Sequence, residues 1–313
     1  MRKQRIAATA SIAAVIVLGW LVTRTGSDEP TYEGKTVTEW IDAMRDGGGH
    51  EAVYSDDLAF KALMNMGSNA VPTLLRLRKS WQDQSRWDRW RESMNENPRF
   101  DGRITSVNER AFRASAILGS LGTNAVIAIP SLLGDAQTSG RGLDSSSAQL
   151  LGEIGSRPDI VIPALIESLS STNRRVRYHC MIALGKFGPA AEPALPHLRP
   201  FLQSTNPIAA IHAAGSICQI DPENSDAERA MLLRALKQTG LASARVATIR
   251  LADLGPAGVW ALPTLEKYLN DTQLGGFVEN AINYIDPDRL QEIESNRLFQ
   301  AAHPTNSAAP GDH

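Results

Sequence analysis

The 313-residue sequence predicts an all-α fold, an α-solenoid of stacked helix pairs preceded by one N-terminal transmembrane helix. Three observations lead there. Gly122, Gly155 and Gly188 recur at 33-residue intervals, each after a stretch rich in Ala, Leu and Ile. Pro130, Pro163, Pro196 and Pro263 each fall eight residues after the glycine of their own copy, which for the last is Gly255. Hydrophobic residues make up 42% of the chain but aromatics only 6%, a small-aliphatic balance that suits closely packed helices. No stretch alternates as a series of strands would.

The chain opens with Arg2, Lys3 and Arg5, followed by an uncharged run of 17 residues from Ile6 to Val22. That length is the lower limit for a helix crossing a bilayer. The run ends Gly19-Trp20-Leu21-Val22, a poor signal-cleavage site, with Trp20 where an interfacial aromatic belongs. Residues 1–24 therefore read as an uncleaved signal anchor, with secretion after cleavage as the alternative. The basic flank keeps the N-terminus inside. The body is then single-pass anchored to the cytoplasmic membrane and lies in the periplasm or outside the cell. Residues 25–35 read as a linker.

Residues 36–54 read as an N-terminal cap helix. Thr36 and Glu39 have capping-box spacing, and Val37, Trp40, Ile41 and Met44 form one apolar stripe. Such a cap covers the otherwise exposed face of a terminal repeat. Gly47-Gly48-Gly49 is a turn into the repeats, which span residues 55–286 as about six or seven helix pairs in a right-handed stack. The series starts at Gly67 and continues through Asp221, Gly255 and Asp286. Gly67 precedes Gly122 by 55 residues, one period plus a 22-residue insertion. In the fullest copy a helix through Arg174-Arg175-Val176-Arg177 ends at a turn on Gly188, and a second helix starts near Ala194. Glycine suits the left-handed residue after a helix, and proline the first turn of the next. The copies centred on Asp221 and Asp286 lack both markers.

Two further segments complete the chain. The insertion, about residues 79–103, holds Trp81, Trp87 and Trp90, half of the six tryptophans. Trp87, Trp90 and Met94 share one helical face and are candidate partner contacts; alternatively the rings fold back over the first repeat or over Trp40. Residues 287–299, with Leu290, Ile293 and Leu298, read as the C-terminal cap helix, and the polar residues 300–313 as a disordered tail.

The repeats resemble HEAT repeats, in the short bacterial variety of the phycobilisome-linked lyases. The resemblance rests on the Val176-Arg177 opening, on Ala183-Leu184-Gly185 with Gly188, and on Ala194-Leu195-Pro196-His197-Leu198. It covers roughly Asp56 to Asp286. The leader Tyr32-Glu33-Gly34-Lys35-Thr36-Val37-Thr38-Glu39-Trp40-Ile41 resembles that of some bacterial exported HEAT-repeat proteins. The resemblance implies the fold; such repeats serve many functions.

Chemistry is sparse in the sequence. The net charge is −2, and the body without the three N-terminal cations carries −5, which argues against nucleic acid as a partner. No phosphate-binding loop, Gly-x-Ser-x-Gly or His-Glu-x-x-His motif occurs. Some HEAT-repeat hydroxylases hold a di-iron centre with several His-Glu pairs; His50-Glu51 is a single pair, so no metal, cofactor or catalytic set is expected. Cys180 and Cys218 fall at different points of neighbouring repeats and read as buried free thiols. Arg174, Arg175 and Arg177, beside Tyr178 and His179, form the densest basic cluster. Arg174 and Arg175 are candidate partner contacts, and Arg177 is a candidate for pairing with carboxylates or carbonyls between repeats. The expected function is a non-catalytic scaffold that holds a protein or peptide along its concave side. The alternatives are a lyase or assembly factor like the phycobilin lyases, and a structural envelope protein.

Overall fold

The computed structural model describes residues 29–44, 57–80, 105–139, 142–238 and 240–302. Residues 1–24, read as an anchor from sequence, His50-Glu51, Trp81, Trp87, Trp90, Met94 and the residues from 303 on lie outside the described residues. Among the described residues no single helix is long and apolar enough to cross a membrane. The chain divides into two compact units, Met1–Ala125 and Val126–His313.

The first unit begins with a hairpin, β1 (Thr31–Tyr32) and β2 (Lys35–Thr36). Glu33 and Gly34 close it at φ of 49° and 77°, the positive values a two-residue hairpin turn needs. Helix α1 (Val37–Ala43) follows with both halves of the expected capping box. The Glu39 amide donates to Thr36 Oγ1 at 3.2 Å, and the Thr36 amide to Glu39 Oε2 at 2.8 Å. Val37, Trp40, Ile41 and Met44 are all buried. The hairpin is tied to this stripe: Trp40 Nε1 donates to the Tyr32 carbonyl at 3.0 Å, and the Lys35 ammonium sits 4.4 Å from the Trp40 ring. The helix is shorter than residues 36–54, because the backbone turns extended at Met44. Glu29, placed in the linker by sequence, instead accepts from the Thr38 amide and hydroxyl at 3.1 and 2.9 Å and pairs with Arg76. Residues 29–36 thus belong to the cap. Helix α1 packs on α2 (Leu58–Met66), α3 (Val71–Lys79) and α4 (Val107–Ser120). Arg110 clamps Asp42 at 2.6 and 2.5 Å, and Arg113 donates to the Ile41 carbonyl at 2.8 Å.

In the second unit α5 (Ile129–Ser139) leads into first helices α6 (Ser145–Ile154), α8 (Arg174–Lys186), α10 (Pro207–Ile220), α12 (Gly240–Ala252) and α14 (Gly275–Ile285). These stand side by side, each packed on the next. The second helices are α7 (Pro158–Ser168), α9 (Leu195–Leu198), α11 (Asp226–Gln238) and α13 (Leu262–Leu265), and α15 (Pro287–Ala302) follows. The contact between neighbours is close because glycine lies at it. A Cβ on Gly152 would sit 2.7 Å from Ala183 Cα. Leu184 on α8 is fully buried.

The repeat markers have a stereochemical basis. Gly67, Gly122, Gly155, Gly188 and Gly255 all take φ between 52° and 60°. Between the turn and the second helix lie 3-10 segments, Gly188–Ala194 and Gly255–Ala261, in line with the expected second-helix start near Ala194. The α-helix resumes at Leu195 or Leu262, so Pro196 and Pro263 sit in its first turn. Pro163 departs from the pattern. Arg157 takes the left-handed conformation, α7 starts at Pro158, and Pro163 falls inside it. Asp221 and Asp286 solve the turn differently, at negative φ. Their carboxylates accept from the amides of Asn224 at 3.3 Å and Arg289 at 3.1 Å.

The C-terminal helix caps less than expected. Leu290 packs on the core and Ile293 is half-buried, but Leu298 is 73% exposed. The helix also runs to Ala302, three residues past its expected end and into the stretch read as tail.

Candidate functional site

The first helices of the second unit present an aromatic and basic strip. Counting back from each repeat marker, one row recurs nine or ten residues upstream. It comprises Tyr178 and His179 on α8, His212 on α10, Arg245 on α12 and Phe277 on α14. The Tyr178 and His212 rings lie 4.8 Å apart, and the Tyr178 hydroxyl accepts from Asn206 Nδ2 at 2.8 Å. The Arg245 guanidinium lies over the Phe277 ring at 5.1 Å. Ile249, one turn along α12, is 47% exposed, and Phe277 is 38% exposed.

Behind the strip lies a buried cation. Arg250 is 1% exposed and crosses α10 at Gly215, where a Cβ would meet its Nε at 2.7 Å. Its guanidinium donates to Asp253 Oδ2 at 2.6 Å and to Gln219 Oε1 at 2.9 Å. Gln219 Nε2 in turn donates to the Asp253 carbonyl at 2.8 Å, and Ser216 donates to the Met181 carbonyl at 2.6 Å. These bonds link α8, α10 and α12 and hold the strip's backbone in register. Arg250 Nε, Arg245 Nε and His212 Nδ1 are buried without a hydrogen-bond partner.

Electrostatics keep both histidines neutral. Burial, then Arg250 and His179, push His212 down to about 3. His179 is lowered by burial first and then by Arg175 and Lys186. The strip's positive charge therefore comes from arginine. Burial raises the Cys180 thiol to about 12 and the Cys218 thiol to about 11. Both are buried free cysteines that stay protonated at neutral pH and are poor nucleophiles.

Of the residues singled out by sequence, Arg174 and Arg175 lie exposed in the first turn of α8, at one end of the strip. Arg177 is already used: its Nη1 donates to the Ser171 and Thr172 carbonyls at 2.6 and 3.1 Å, so it braces the loop before its own helix. Trp87, Trp90 and Met94 lie outside the described residues. Sequence reasoning passed over His212, Arg245, Ile249 and Phe277. The common offset of His212, Arg245 and Phe277 from the repeat markers was the available signal.

Residues 143–218 match the family of HEAT repeats. Comparison with curated proteins finds no match. Among solved structures, the chain is similar to a chain in the complex of CpcE and CpcF of phycocyanin lyase from Nostoc sp. PCC7120. The alignment is at 21% identity and TM-score 0.53, over 87% of this chain and 99% of that one. An engineered protein aligns at 17% identity over 87% of this chain and 80% of that one, with a TM-score of only 0.34. The chain therefore carries HEAT repeats and has an all-α, HEAT-like solenoid fold.

Proposed function

We propose that this chain is a non-catalytic HEAT-repeat scaffold, anchored through residues 6–22 and holding a protein partner outside the cytoplasm. One observation carries the reading: the half-exposed row Tyr178, His212, Arg245 and Phe277, with Ile249 beside it. Aromatic rings next to arginine are the composition of binding hot spots. The row crosses four successive helices, the extent a partner segment needs for several simultaneous contacts. Pull-down from detergent-solubilised membranes tests it. A partner held by the wild type is lost with Ile249→Asp and Phe277→Ala while the fold survives; retention of the partner by both variants overturns the reading. Anchoring is tested separately by reporter fusions after Val22 and at the C-terminus, both of which should report outside the cytoplasm.

The likeness to the CpcE and CpcF complex favours a second reading, an assembly factor or lyase of that kind. The solved chain works within a complex of two proteins, which also fits a partner-binding solenoid. A chromophore or other small molecule co-purifying with the chain would favour this reading over the scaffold.

A further inference from the structure

The strip's charge is as specific as its rings. The first seven residues of α8, α10 and α12 contain Arg174, Arg175, Arg177, His179, His212 and Arg245 and no Asp or Glu, whereas those of α14 include Glu279. The loops 169–173 and 199–206 that lead into α8 and α10 contain none either. This stands out in a chain whose net charge is −2. Arg177 is held by the Ser171 and Thr172 carbonyls and the two histidines are neutral, which leaves Arg174, Arg175 and Arg245 as the strip's cations without a carboxylate. Arg157, Arg229, Arg250 and Arg289 of the same unit each form an ion pair with a carboxylate. Arg174, Arg175 and Arg245 form none among the described residues.

Stability does not account for them. Arg174 and Arg175 occupy the first turn of α8, at the positive end of the helix dipole, where acidic residues are favoured by about 0.3–1 kcal/mol. Arg245 Nε is buried with no acceptor, although its side chain packs over Phe277. Arg174 and Arg175 sit against the helix dipole, Arg245 has no carboxylate beside it, and Tyr178, Ile249 and Phe277 flank them, so a partner's carboxylates would supply charge that the strip lacks.

We infer that this strip takes an acidic, extended segment of a partner protein, its carboxylates meeting Arg174, Arg175 and Arg245 and its apolar side chains meeting Ile249 and Phe277. This deepens the partner-binding reading and rests on it. Carboxylate suits these side chains: a guanidinium fork binds it bidentately, and the rings of the row supply apolar contact between the charges. Salt weakens the complex, because exposed charge pairs are screened.

The test pans a random 12-residue peptide library on the full-length protein in detergent. Peptides that survive are re-synthesised and titrated by fluorescence anisotropy. The expected winners are net acidic and carry aromatic or aliphatic residues. Their affinity falls at least about tenfold in Arg175→Glu/Arg245→Glu, and a repeat selection on that variant switches to basic peptides. Arg174→Glu/Arg175→Glu is the second variant; it should leave the melting temperature unchanged or raised, so loss of binding there is not loss of fold. Winners that are neutral or basic, yet lost in Phe277→Ala, overturn the acidic segment while the strip stands as the partner face. Winners indifferent to every one of these variants, or no winners at all, overturn both.

Discussion

Gly152→Ala is a small change with a large predicted consequence. Helices α6 and α8 meet at this glycine, and the added Cβ would lie 2.7 Å from Ala183 Cα and 2.8 Å from Ala183 Cβ. Ordinary carbon contacts begin near about 3.5 Å. The atoms in the way are backbone and Cβ, which cannot rotate aside, so the two helices must separate by roughly 0.7–0.8 Å or tilt. Overpacking of this kind costs about 1–3 kcal/mol, offset by about 1 kcal/mol because alanine is the better helix former. The net expectation is a loss of about 1–2 kcal/mol. Gly134 in α5 is the matched control, since nothing lies within 4 Å of its Cβ position. Gly134→Ala should gain up to about 1 kcal/mol from helix propensity alone. Thermal denaturation of the full-length protein in detergent reads both, at about 2–4 °C per kcal/mol for bodies of this size. Opposite signs support the packing described. A Gly152→Ala variant as stable as Gly134→Ala would refute the close helix contact and the register built on it.

Three further outcomes are expected. Leu184→Ala should cost about 2–5 kcal/mol through lost transfer energy and a residual cavity, and Gly188→Val should also destabilise, because φ of +56° is strained for a β-branched residue; both are read by thermal melting. Labelling under non-reducing conditions should find two thiols, blocked in the folded protein and reactive after unfolding, since Cys180 and Cys218 are buried and protonated. For His212 the folded value is about 3 against 6.5 for the free side chain, so between these values the unfolded chain binds more protons and stability falls as pH drops. His179 contributes in the same direction. His212→Gln should therefore flatten the acid side of the stability profile between pH 6.5 and 3.

The parts legible in the sequence are those written in local stereochemistry. Thr36 and Glu39 announced their capping box because each bonds the other's amide three residues away. Gly188 and Pro196 marked a turn and a helix start because only certain residues tolerate those positions. The hairpin at Tyr32 was not legible, because two-residue strands carry no alternation. Glu29 looked like linker because its partners, Thr38 and Arg76, are 9 and 47 residues away. Pro163 misled by keeping the repeat's spacing while Arg157 moved the helix start.

The candidate site was half legible for the same reason. Arg174 and Arg175 stood out as neighbours in sequence. Tyr178, His212, Arg245 and Phe277 share a row but no chemistry, and each comes from a different repeat. Only the stacking of α8, α10, α12 and α14 turns them into one surface. Arg250 was hidden for a further reason: a cation reads as surface, and its burial depends on Gly215 opening room across the neighbouring helix.

The central claim is that partners are held on the first-helix strip. Site-specific photo-crosslinking in living cells tests it most directly, with benzoylphenylalanine at Ile249 on the strip or at Val259 in the 3-10 segment; these residues are 47% and 55% exposed. Because exposure is similar, capture reports location rather than access. The account predicts a discrete crosslinked partner from position 249 and none from position 259. Capture from position 259 alone, or equally from both, would contradict it.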